Sequence, residues 1–205
     1  MKFKAFVITA VLLLAPLYSS ANIGLGLKAG LNFANVTGAS SIGAGSRSGF
    51  VVGVFLGSPS MGLLGFRSEL LFSRQGYDFN SNATTGSVKL DYILLPSLMV
   101  INLGGIAQIQ AGAQVAYLLK GTVEGASTGD PATDKILDLF NRFDYGLAGG
   151  VEITPFKGFL FGARINVSFG NMYKDPSTFA GGTPSFFPGV NAKHNVVQLY
   201  TGYQF

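Results

Sequence analysis

Cysteine and tryptophan are absent from this 205-residue chain, histidine occurs once, and charged residues make up only 12% of it. Without cysteine there is no disulfide scaffold, no thiolate metal centre and no lipid-bearing cysteine of a lipoprotein. The single histidine, His194, has no clustered carboxylates near it. The companions it would need for nucleophilic catalysis, Ser168 and Glu152, fall deeper along neighbouring strands. A lipid-hydrolysing role through His194 is thus the weakest of the functional readings, and no catalytic, cofactor or metal residue is expected. Glycines 24, 26 and 30 have the wrong spacing for a dinucleotide fingerprint, and no helix follows them. Charge is equally uninformative: the formal +4 includes Lys2 and Lys4, leaving +2 without them, too little to argue for nucleic acid.

What is present is apolar. Hydrophobic residues reach 48%, glycine numbers 29, and mean hydropathy is +0.39, a composition at odds with a water-facing surface. The start, MKFKAFVITAVLLLAPLYSSA, has two lysines, an apolar run from Ala5 to Leu17 and then small residues, the layout of a secretory signal peptide. That run is too short for a spanning helix, and Pro16 interrupts it. We expect residues 1–21 to be a cleaved signal and residues 22–205 to form one domain.

Within that domain, apolar residues alternate with small or polar ones in eight segments: Ile23–Asn35, Gly49–Gly57, Leu63–Tyr77, Val88–Asn102, Ile106–Lys120, Phe143–Thr154, Phe159–Asn171 and Asn195–Phe205. The seventh sets Phe159, Phe161, Ala163, Ile165, Val167 and Phe169 against Gly162, Arg164, Asn166, Ser168 and Gly170. A water-soluble barrel would stud the second face with Lys and Glu; here it is mostly Gly, Gln, Asn and Ala. The pattern therefore predicts an all-β fold: a closed, antiparallel, up-and-down transmembrane β-barrel of about eight strands, with apolar rows toward lipid and small residues filling the lumen. Closure also satisfies the backbone hydrogen bonds that hydrocarbon leaves unmet. Linkers alternate long and short, which fits long extracellular loops and short periplasmic turns. A soluble, lipocalin-like barrel that binds a hydrophobic ligand would need the opposite orientation.

Alternation points Lys28, Arg67, Glu69, Lys89, Asp91, Lys120, Asp144, Glu152 and Arg164 into the lumen, where burial favours mutual pairing. Eight strands leave an interior that side chains can fill, so a plugged lumen is expected. A narrow transport channel gated by these salt bridges is the alternative. In the linker Gly121–Arg142, Asp130 and Pro131 can start a short helix whose apolar stripe includes Ile136, Leu137, Leu139 and Phe140, either a lid over the mouth or a docking helix for a protein partner. The last loop adds Tyr173, Phe179, Phe186 and Phe187. Tyr117, Tyr145, Tyr203 and Phe205 would supply the interfacial belts that tryptophan usually shares.

GLKAGLNFANV near the start, GFRSELLFSRQGYDF followed by LDYILLPSLMV, then FDYGLAGGVEI and the terminal LYTGYQF together resemble the PorT-like outer-membrane β-barrel family of Bacteroidota, often labelled a porin family. The resemblance covers essentially the whole mature chain. It implies an outer-membrane barrel of about eight strands, surrounded by outer-membrane lipids; the first functional expectation, a structural, adhesive or partner-binding role, rests instead on the long loops. The resemblance brings no catalytic motif. The closing NVVQLYTGYQF resembles the C-terminal signal read by the barrel-assembly machinery, with Leu199, Tyr203 and Phe205 as its apolar positions.

Overall fold

A computed structural model describes residues 24–37, 45–57, 62–81, 84–124, 137, 140–171, 174 and 193–205. The proposed signal peptide, His194's side chain and the aromatic residues of the last loop lie outside what is described. Eight strands form: β1 (Gly24–Thr37), β2 (Gly45–Gly57), β3 (Leu64–Ser81), β4 (Thr84–Leu103), β5 (Ala107–Glu124), β6 (Phe143–Phe156), β7 (Phe159–Ser168) and β8 (Lys193–Gln204). Each pairs antiparallel with its neighbours in chain order, and β8 returns to β1 in the register Leu31↔Leu199 and Leu27↔Tyr203, closing the barrel.

Tight turns at one end rest on glycine. Gly104, Gly105 and Gly158 have φ of 65°, 79° and 83°, the left-handed region that side chains with a Cβ disfavour. They let β4 turn into β5 and β6 into β7 within a few residues. The opposite end carries the long connections. One linker differs from expectation: in place of a loop over Asp78–Ser87, the β3–β4 ladder continues from Tyr77↔Val88 out to Ser81↔Thr84. The Ser, Thr and Asn residues there pair through backbone as readily as apolar ones, so composition alone reads as a loop what the register keeps as sheet.

The outer surface is a band of apolar side chains. Leu27, Leu31, Leu70, Leu147, Val151, Ile165 and Leu199 are each between 47% and 56% exposed. These rows face outward, opposite to the orientation a soluble ligand-binding barrel requires, and suit hydrocarbon. Aromatic residues collect at the turn end, where Phe159, Tyr203 and Phe205 stack edge to face at 4.9 and 5.3 Å. The Phe205 N–H donates to Leu25 O at 2.9 Å, so the last residue is held in the seam between first and last strands.

Candidate functional site

The lumen is filled in storeys. In the lower one, Glu69 on β3 accepts both terminal nitrogens of Arg164 on β7, at 2.6 and 2.8 Å, and Lys28 Nζ on β1 at 3.2 Å. Glu152 on β6 accepts Arg67 Nη1 at 2.7 Å, Gln110 Nε2 at 3.1 Å and the Tyr200 hydroxyl at 3.2 Å. Gln110 Oε1 in turn accepts from Arg164 at 2.7 Å, which joins the two groups. Because β3 lies four strands from β7 around the ring, the Glu69–Arg164 fork ties opposite walls together. No side chain in these ion pairs is more than 3% exposed.

Glycines make room for this layer. A Cβ on Gly162 would stand 2.4 Å from the Tyr200 ring, and one on Gly26 would stand 2.1 Å from the Phe55 ring. The two rings receive the cations: Lys28 Nζ lies 3.4 Å from the Tyr200 centroid, and Arg67 Cζ lies 4.6 Å from that of Phe55. Three cations thus share two carboxylates and two aromatic faces.

Above it lies a polar middle layer. Asn32 donates to Ser73 Oγ at 2.8 Å and to two backbone carbonyls. Asn166 and Gln198 are buried and their amides have no hydrogen-bond partner among the described residues. A cavity of about 20 Å³ beside Asn166, Gln114, Gln75 and Ser168 has room for a water to meet such a need. The upper storey is apolar: Leu71, Val88, Leu90, Tyr92, Leu94 and Leu118 pack with Leu137 and Phe140 from the long β5–β6 connection. Those two residues lie under the barrel's mouth as a lid would; the rest of the expected short helix is outside the described residues.

Of the nine charges assigned inward from sequence, the structure gathers Lys28, Arg67, Glu69, Glu152 and Arg164. Asp144 also faces in, but at the upper rim, where its carboxylate accepts the N–H groups of Tyr145 and Gly170 and the Ser168 hydroxyl and so fastens β6 to the end of β7. Lys89, Asp91 and Lys120 point the other way and need correcting. Lys89 pairs with Glu124 at 2.6 Å and Asp91 with Arg74 at 2.7 Å, both on the outer face. A bulge is one cause: the ladder steps from Asp91↔Lys120 to Tyr92↔Leu118, so Leu119 is an extra residue and alternation inverts beyond it. On β4 the cause is different. Leu90, Tyr92, Leu94 and Leu98 fill the lumen while Ile93, Leu95 and Met99 face out, so both faces are apolar and period two does not say which is which.

Sequence reasoning missed Gln108, Gln110 and Tyr200, neutral members of the lower storey. A signal was there: the register sets Gly162 opposite Tyr200 and Gly26 opposite Phe55, a small residue facing each large inward ring. As for His194, its candidate companions are engaged elsewhere, Ser168 with Asp144 and Glu152 with Arg67.

Residues 17–174 match the model of the family described as outer membrane protein beta-barrel domain. No curated protein matches the chain. Among solved structures, the chain is similar to Ail, the attachment invasion locus protein of Yersinia pestis, at 14% identity and TM-score 0.48, covering 89% of this chain and 98% of Ail. Neisserial surface protein A is similar at 14% identity and TM-score 0.48, over 89% and 97% of the two chains. OprG of Pseudomonas aeruginosa follows at 15% identity and TM-score 0.40, over 89% and 94%. With its model spanning most of the sequence, and with a closed barrel whose apolar rows face outward, the chain belongs to the outer membrane protein beta-barrel domain family and resides in the bacterial outer membrane.

Proposed function

We propose that this protein is a structural, adhesive or partner-binding barrel, without enzymatic activity, that acts through its extracellular side and does not pass solutes. The observation that carries this reading is the doubly closed lumen: ion pairs tie opposite walls in the lower storey, and the upper storey is packed with Leu, Val and Tyr side chains. Strand length agrees with it. β4 has 20 residues, about twice what a tilted strand needs to cross hydrocarbon, and β3 and β5 have 18 each, whereas β7 has 10. The surplus carries β3–β5 past the membrane as a wall from which loops are displayed.

Planar-bilayer recording and surface labelling test this together. The reading expects no conductance steps, and a probe in the Gly121–Arg142 segment labelled from outside intact cells; steady conductance would overturn it. One observation favours a narrow, gated channel as a second reading: three cations against two carboxylates leave the lower storey with an excess positive charge. That reading expects anion-selective current that rises in Glu69→Gln.

Three finer points belong to the same proposal. The motifs from GLKAGLNFANV to LYTGYQF support a PorT-like, Bacteroidota type within the family. Residues 1–21 serve as the cleaved export signal. Leu199, Tyr203 and Phe205 present the apolar row that the barrel-assembly machinery reads, and all three side chains face outward. Removing Phe205 should lower outer-membrane levels; undiminished levels of the truncated chain would count against that role.

A further inference from the structure

The charges that alternation misplaced form a pattern of their own on the outer wall. Arg74 on β3, Asp91 on β4 and Lys120 on β5 stand side by side in one cross-strand row. Lys89 lies one step further out, opposite Gly76 and Thr122, and pairs with Glu124; Arg47 on β2 pairs with Asp78 at 2.5 Å. Directly below the row the same strands turn apolar, with Phe50, Phe72 and Leu70, Ile93 and Leu95 facing out. Arg74 touches that boundary itself: its Cζ lies 5.3 Å from the Phe50 ring centroid, and Phe50 meets Phe72 at 5.9 Å. Above the row the sheet continues to Ser81 and Glu124. The row therefore sits at the level where hydrocarbon gives way to headgroups. On the opposite wall, the outward residues Tyr145, Leu147, Ile165 and Val167 of β6 and β7 carry no charge.

We infer that the outer face of β2–β5 is a binding site for the phosphorylated headgroup of an outer-leaflet glycolipid, with Arg47, Arg74, Lys89 and Lys120 as its cations. The charge balance favours an anion: four cations face three carboxylates, Asp78, Asp91 and Glu124, and Lys120 makes no ion pair among the described residues. The bulge at Leu119 turns Lys120 outward to this position. Guanidinium forks and ammonium groups match phosphate oxygens, and the aromatic and aliphatic residues beneath would take the acyl chains of the same molecule. A lipid joins both surfaces, which a free phosphate does not.

The test uses the full chain refolded in detergent micelles, with retention of added diphosphorylated lipid A read by native mass spectrometry. Dephosphorylated lipid A and inorganic phosphate serve as the two controls. The site predicts selective retention of the phosphorylated lipid, little competition from inorganic phosphate, and about fivefold weaker retention for Lys120→Gln. Asp91→Asn separates a headgroup site from a self-contained ladder: freeing Arg74 should strengthen retention severalfold, whereas a ladder that only braces the strands would show none of this. Lys157→Gln, in the turn at the other end, should change nothing. Equal retention of the dephosphorylated lipid, equal competition by phosphate, or weaker retention by Asp91→Asn would overturn the inference. So would a Lys120→Gln variant that alters self-association by sedimentation but not lipid retention, which would make this face a contact between copies of the chain.

Discussion

The barrel holds two sets of ion pairs with nearly the same geometry and opposite surroundings. Inside, Arg164–Glu69 and Arg67–Glu152 stand at 2.6 and 2.7 Å with side chains at most 3% exposed; outside, Arg74–Asp91 and Lys89–Glu124 stand at 2.7 and 2.6 Å with exposures up to 55%. Distance therefore tells little about what either set contributes. Burial decides it: the inner charges have lost their water and depend on each other, while the outer ones keep solvent and remain free to exchange partners. The inner set suits a fixed plug. The outer set suits a surface that binds.

Breaking the inner set at its centre should give the largest effect. Glu69→Ala leaves Arg164 and Lys28 buried without their carboxylate, and a cost of about 3–5 kcal/mol is expected. Urea unfolding in micelles, followed by the mobility difference between heated and unheated protein on gels, measures it. The triple replacement Lys28→Met, Glu69→Met, Arg164→Met removes the charges together and should recover most of the loss. A triple variant as unstable as the single one would show that the plug's worth lies in its ionic bonds and not in the avoidance of stranded charge.

The apolar storey sharpens the contrast from another side. Leu90→Ala, at a fully buried position, should cost about 3 kcal/mol through lost contacts and the cavity left behind. Raising the salt concentration to 1 M should not change that cost, nor the cost of Glu69→Ala, because both sites exclude water. Asp91→Asn on the outer wall should cost about 0.2–1 kcal/mol at low ionic strength and close to nothing in 1 M salt. A salt-sensitive Glu69→Ala would place water in the lower storey.

The strands and the apolar rows were legible because lipid and lumen make opposite demands on alternate residues, and β1 from Leu25 to Ala34, β6 up to Ile153, β7, and β8 from Val196 to Tyr203 obey that rule. It placed Lys28 and Arg164 in the lumen from sequence alone. It failed where one face ceased to differ from the other. On β4 the lumen wants Leu90, Tyr92 and Leu94 as much as lipid wants Ile93 and Leu95, and the charges at Lys89 and Asp91 carry no mark of inside or outside. On β5 the failure is local: one inserted residue, Leu119, flips Lys120, and no composition cue announces a bulge. The partners of each charge were beyond reach for a further reason. Glu69 and Arg164 are 95 residues apart, and only the register around the whole ring brings them together.

The smallest effect concerns the most exposed pair, and its sign is fixed by the same contrast. Hydrogen bonding from the Lys89 ammonium, aided by its charge, holds the Glu124 carboxyl below the ordinary carboxylate range. A depressed value in the folded state means the contribution is present at neutral pH, above the unfolded value, and is lost as pH falls through the folded one. Lys89→Gln should return the Glu124 titration midpoint upward to the ordinary range, read by carboxyl-selective NMR, and 1 M salt should move the wild-type midpoint in the same direction. Melting temperature should hardly change, since solvent screens both partners. A salt-insensitive midpoint, or a large stability loss in Lys89→Gln, would mean that the outer ladder is shielded from water as the inner one is, and the distinction between a plug and a binding wall would fail at that pair.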